Sequence, residues 1–139
     1  EEELLSTVDE LGIGTICFSP LAQGMLSDKY LHGVPEGSRA GTAGTALSQK
    51  LLTKENLERI SRLNEIARRR GQSLAQMALA WVLRRKEVTS VLIGASSAEQ
   101  VKENVGALKN LTFTDTELQE IDRYAQDGNI NLWARSSQV

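Results

Sequence analysis

The sequence has one cysteine, Cys17, and one histidine, His32, so it is poor in the side chains that staple small folds or ligate metals. A lone cysteine forms no internal disulfide, which fits a reducing, cytoplasmic setting, and no metal site is expected. A basic excess is also lacking: 16 Lys and Arg stand against 18 Asp and Glu, for a net charge of −2. Non-specific nucleic-acid binding needs the opposite balance and is disfavoured. Apolar runs are short and interrupted, so no transmembrane helix is expected and no membrane partner is implied. The opening Glu1-Glu2-Glu3 is the reverse of a basic signal-peptide start. Internal repeats and low-complexity stretches are absent.

What is present is an ordinary globular composition, 40% hydrophobic and 24% charged over 139 residues, enough for one domain with a core. Leu4, Leu5, Val8 and Leu11 fall at helical spacing from the first residues on, and Gly12 is a favourable stop. No cap or turn signal comes before this helix, so an N-terminal part is expected to be missing. Ile13 to Phe18 is short and β-branched and reads as a buried strand ended by Pro20. Leu21 to Ser48 is rich in glycine, serine and threonine and reads as a long loop, of the kind usually functional or disordered. Helical periodicity returns over Lys54 to Arg70, with Leu57, Ile60, Leu63, Ile66 and Ala67 on one face and Gly71 as the stop.

Ser73 and Gln76 form a capping box opening a helix with the stripe Leu74, Met77, Ala78, Trp81 and Val82. Thr89 to Ile93 is a second buried strand, ending at Gly94. Ser97 and Gln100 suit another capping box, with Val101, Val105 and Leu108 as that helix's inner face. Thr114 and Glu117 open a last helix that buries Leu118 and Ile121. The tail from Gly128 to Val139 shows no period. Strands alternating with helices predict an α/β fold with a parallel sheet. Two strands make no stable parallel sheet buried on both faces, so further strands are expected from outside this stretch.

Ligands in such folds bind beyond the carboxyl ends of the strands. The first end, Phe18-Ser19-Pro20-Leu21-Ala22-Gln23-Gly24, lets backbone N–H groups approach an anion, and Lys29 adds a point charge. The second, Gly94-Ala95-Ser96-Ser97, leads straight into a helix N-terminus that favours phosphate. The pattern Gly12-x-Gly14 is no dinucleotide fingerprint, because it precedes its strand and lacks a third glycine.

Ser19-Pro20-Leu21 through Gly24, Lys29-Tyr30, Gly94-Ala95-Ser96 and Gln100-x-x-Glu103-Asn104 together resemble the C-terminal part of aldo-keto reductases. The resemblance extends to the Ala75-to-Trp81 helix and covers nearly the whole chain. It is strongest to the branch holding the potassium-channel β-subunits and the bacterial L-glyceraldehyde 3-phosphate reductases. The Asn131-Leu132-Trp133 tail is similar to the latter.

The resemblance implies that residues 1–139 are one segment, the C-terminal portion of a (β/α)8 TIM barrel that binds NADPH in extended form. It places Phe18 against the nicotinamide, where the family usually has Tyr or Trp, and Ser19, Pro20, Leu21, Ala22, Gln23 and Gly24 along the pyrophosphate and ribose. Lys29 and Arg39 would contact phosphate oxygens, and Gly94, Ser96, Gln100, Glu103 and Asn104 the adenosine and its 2′-phosphate. Many family members carry Lys and Arg around the positions of Gly94 and Gln100; this sequence does not, which leaves the preference for NADPH over NADH open.

The implied activity is reduction of small aldehydes, with glyceraldehyde 3-phosphate or methylglyoxal as candidates. An oligomer is expected when the protein is intact, and the alternative is a regulatory cofactor-binding module. The family's catalytic Tyr, Asp, Lys and His lie in the first half of its barrel, so no catalytic residue is assigned here. His32 reads as a solvated loop residue and Cys17 as a buried, inert thiol. Met77 and Trp81 read as core, and Arg68-Arg69-Arg70 and Arg84-Arg85-Lys86 as cations at helix ends.

Overall fold

The computed structural model describes residues 2–31, 33–34, 36–38, 41 and 51–126. Helix α1 (Glu2–Glu10) leads into strand β1 (Thr15–Phe18), and helices α2 (Lys54–Arg69) and α3 (Leu74–Leu83) connect it to strand β2 (Val88–Leu92). Helix α4 (Ala98–Val105) and, after a short turn of helix at Gly106–Lys109, helix α5 (Asp115–Tyr124) complete the order. β1 and β2 pair in parallel, with Phe18 opposite Leu92 and an irregularity between Thr15 and Ile16. The α/β class and the parallel pairing match the sequence pattern. His32, Arg39 and the Asn131-Leu132-Trp133 tail lie outside the described residues.

Local chemistry sets the helix ends. Gly71 sits at φ +68 after α2; its N–H donates to Arg68 O at 3.0 Å and that of Gln72 to Ala67 O at 3.0 Å. Only a residue tolerant of the left-handed region closes both bonds. The same pair recurs after α1, where Gly12 donates to Asp9 O at 3.0 Å and Ile13 to Val8 O at 2.8 Å. The expected capping box of Ser73 with Gln76 forms on α3, and Thr114 with Glu117, the expected start of α5, forms another.

The core lies between helices. Ile60, Leu63, Ile66 and Ala67 of α2 meet Leu74 and Met77 of α3 and Ile121 of α5, joined by Met25 and Tyr30 from the loop after β1. Each large aliphatic buried here contributes about 1.5–3 kcal/mol. Trp81 packs at the edge of this cluster rather than inside it, with the Arg84 guanidinium 3.7 Å above its ring. Leu118 is half-buried, so Ile121 is the residue that α5 commits to the core.

Three expectations fail. The strands are not buried on both faces: Ile16 is 69% exposed, Phe18 62% and Leu92 65%, because a two-stranded sheet has one face that no described residue covers. Cys17, on the other face, is half-buried. The apolar stripe of α4 and the helical turn after it is likewise outside, with Val101, Val105 and Leu108 all exposed, while Asn104 and Ala107 are the buried positions. Finally, Ser97 caps α4 by accepting from Gln100 N–H, but the Gln100 side chain reaches past it to Ser96, so the box is not reciprocal.

Candidate functional site

The parallel register brings the two strand tips side by side, since Phe18 and Leu92 are paired and each strand ends there. Between the tips and the segments that follow them lies a cleft of about 1010 Å³. That is at the upper end of the roughly 300–1,000 Å³ common for small-molecule and cofactor sites. Phe18, Ser19, Pro20, Leu21, Gln23, Gly24 and Lys29 line it from the β1 side. Gly94, Ser96, Gln100, Glu103 and Asn104 line it from the β2 side. Two residues named from sequence are not among them. Ala22 turns instead to a separate apolar cavity of about 410 Å³ walled by α2, α3 and α5, and Arg39 lies outside the described residues.

The β1 tip is held in an unusual backbone. Ser19 (φ 53), Ala22 (φ 46) and Gln23 (φ 60) are non-glycine residues in the left-handed region, followed by Gly24 at φ 93. Such positions cost about 1–3 kcal/mol each and persist only where surrounding contacts impose them. Here Gln23 Nε2 donates to Ser19 Oγ at 3.2 Å and Ser27 Oγ to Gly24 O at 2.6 Å, which ties the loop to itself. Tyr30, 2% exposed, anchors the loop's far end in the core.

At the β2 tip Ser96 leads into α4. The Ser96 N–H and Oγ both contact Gln100 Oε1, at 2.8 and 3.2 Å, and Ser97 Oγ accepts from the Gln100 N–H at 3.2 Å. Lower on the same helix Asn104 is 8% exposed and lines the cleft. The Asn104 amide offers donors and an acceptor to a polar ligand. Phe18 offers an exposed aromatic face at the opposite end. Charge is sparse: among the described lining residues Lys29 is the one cation, against Asp28 and Glu103. The cleft thus combines room for a cofactor-sized ligand with an aromatic ring, an amide and one cation.

Sequence reasoning missed the far wall. Ser73 and Ala75, from the start of α3, and Asp28 also line the cleft. Asp28 adjoins Lys29, but nothing near Ser73 and Ala75 in sequence signals their place, because α3 reaches the strand tips only through tertiary packing; the capping box at Ser73 marks a helix start and no more.

Comparison with known proteins gives the family. The aldo/keto reductase family model matches residues 1–126. L-glyceraldehyde 3-phosphate reductases of Escherichia coli O157:H7 and of Escherichia coli strain K12 are each 54% identical to the chain over 137 residues. Both alignments cover 96% of this chain and 40% of the relative. A putative voltage-gated potassium channel subunit beta of Schizosaccharomyces pombe is 38% identical over 126 residues, 88% of this chain and 37% of that protein. The chain thus spans about 40% of the length of the curated relatives it matches. With a family match over 126 of its 139 residues and a cleft at its paired strand tips, the chain belongs to the aldo/keto reductase family.

Proposed function

We propose that this chain forms the closing part of the (β/α)8 barrel of an NADPH-dependent reductase of small aldehydes, of the glyceraldehyde 3-phosphate or methylglyoxal type, and that it supplies much of the cofactor site. The observation that carries this reading is the pairing of β1 with β2, which puts the Ser19 and Gly94 segments on two sides of one cleft. The 54% identity to L-glyceraldehyde 3-phosphate reductases supports the aldehyde substrate.

Bound NADPH supplies the hydride that reduces the carbonyl. Phe18 presents its ring to the nicotinamide and shields one face from water. The Ser19-to-Gly24 loop follows the pyrophosphate, with Lys29 and Arg39 on phosphate oxygens and Asn104, Glu103, Gln100, Ser96 and Gly94 around the adenosine. The proton donor to the substrate oxygen comes from the part of the barrel outside this chain. A second reading, a regulatory NADPH-binding module with little turnover, is favoured by the 38% identity to the putative channel subunit.

Steady-state oxidation of NADPH by the full-length protein with short aldehydes decides between them. Turnover supports the reductase, cofactor binding without turnover supports the regulatory module, and absence of both sinks the reading. Lys29→Met is expected to weaken NADPH by about tenfold, the weight of one charge-assisted contact, and to flatten the salt dependence of its Kd.

A further inference from the structure

Among the described residues, the Gln76 side chain ties the start of α3 to the cleft-lining end of α4. Its Oε1 accepts from Ser73 N–H at 3.1 Å, closing the capping box. Its Nε2 donates to Glu103 O at 2.8 Å. That carbonyl lies in the last turn of α4 and also accepts from the Gly106 N–H, so the amide is a second donor to it. The neighbouring Gly106 shows how tightly the amide is seated. A Cβ built on Gly106 would meet Gln76 Nε2 at 2.6 Å, closer than real Cβ contacts come, although the Gly106 φ of −56 suits any residue. Glu103 and Asn104, the residues this bond holds, are cleft lining, and Asn104 is 8% exposed.

We propose that Gln76 is a positioning residue for the cofactor cleft: its capping box fixes the amide on α3, and the amide's donor sets the depth of Glu103 and Asn104 on α4. The inference rests on the cofactor reading above. The two ends of the side chain separate by substitution. Gln76→Glu keeps an acceptor for Ser73 N–H but has no donor for Glu103 O. Gly106→Ala displaces the donor while leaving Gln76 itself intact. Thr114→Ala opens the equivalent box on α5, away from the cleft, and controls for a general loss of stability.

The test is NADPH affinity of the full-length protein, followed by fluorescence titration, with kcat and KM alongside. Gln76→Glu and Gly106→Ala are each expected to raise the NADPH Kd about fivefold or more, the weight of one ordinary hydrogen bond. At saturating cofactor kcat stays within about twofold, because no group touching the reacting atoms moves. Thr114→Ala is expected to lower thermal stability and leave the Kd unaltered. A Kd within about twofold of the parent in both Gln76→Glu and Gly106→Ala overturns the positioning role while leaving the cofactor reading intact. A parent protein that takes up no NADPH overturns both.

Discussion

Arg70 shows how much one residue carries here. Its side chain is 2% exposed, yet it is fully engaged: Nη1 pairs with Glu117 at 2.9 Å, Nε donates to Gln72 Oε1 at 3.0 Å, and Nη2 reaches Thr112 O at 2.9 Å. Its guanidinium also lies 3.7 Å over the Phe113 ring. Arg70→Met would strand the Thr112 carbonyl and the Glu117 carboxylate, at a cost of about 2–3 kcal/mol because Glu117 keeps some solvent. Arg70→Lys should not restore the loss, since an ammonium cannot span the same fork. Denaturant unfolding of the full-length protein checks both.

Glu117 adds a pH dependence. Burial pushes its carboxyl up, but hydrogen bonds from Thr114 and the Arg70 guanidinium outweigh that and hold it below the usual carboxylate range. A depressed folded value means the contribution is complete above the unfolded pKa, about 4.3, and is lost as pH falls through the folded one. The stability gap between the parent and Glu117→Gln should therefore be widest near neutrality and shrink in acid below about pH 4. A gap that stays constant from pH 7 to pH 3 would contradict this.

Among the elements, helix ends were legible and covered faces were not. Gly12, Gly71, Ser73 and Thr114 act on amides and carbonyls within a turn of themselves, so sequence spacing alone locates them. Gly71→Ala tests this directly. At φ +68 an alanine pays about 1 kcal/mol, and Gly71→Asn, which tolerates the left-handed region better, should recover part of it in thermal melts. The α4 face is a different kind of question. Periodicity finds the Val101, Val105 and Leu108 stripe correctly, but the buried Asn104 and Ala107 lie roughly a quarter turn away. Which face is covered depends on neighbours that the local pattern does not encode. The same reason hid Ser73 and Ala75 from the cleft, whereas its two strand-tip walls could be read from glycine, serine and their place after each strand.

For the whole molecule, the balance between covered and uncovered apolar surface decides whether these 139 residues stand alone. The buried cluster draws on α2, α3, α5 and the loop after β1. β1 and β2 contribute little to it, Ile16, Phe18 and Leu92 leave one sheet face bare, and Val101 and Val105 of α4 and Leu108 of the turn after it are exposed too. Leu4, Leu11 and Ile13 around α1 are exposed as well. A two-strand parallel sheet with open edges and an uncovered face invites pairing with other chains. Made by itself, the chain should bind hydrophobic dye, self-associate as its concentration rises, and bind NADPH weakly. The full-length protein, with the rest of the proposed barrel over those faces, should unfold in one steep transition. A sharp, concentration-independent unfolding of the isolated chain at low micromolar protein would mean that the α2–α3–α5 cluster suffices to hold the strand tips together, and that the exposed faces need no cover.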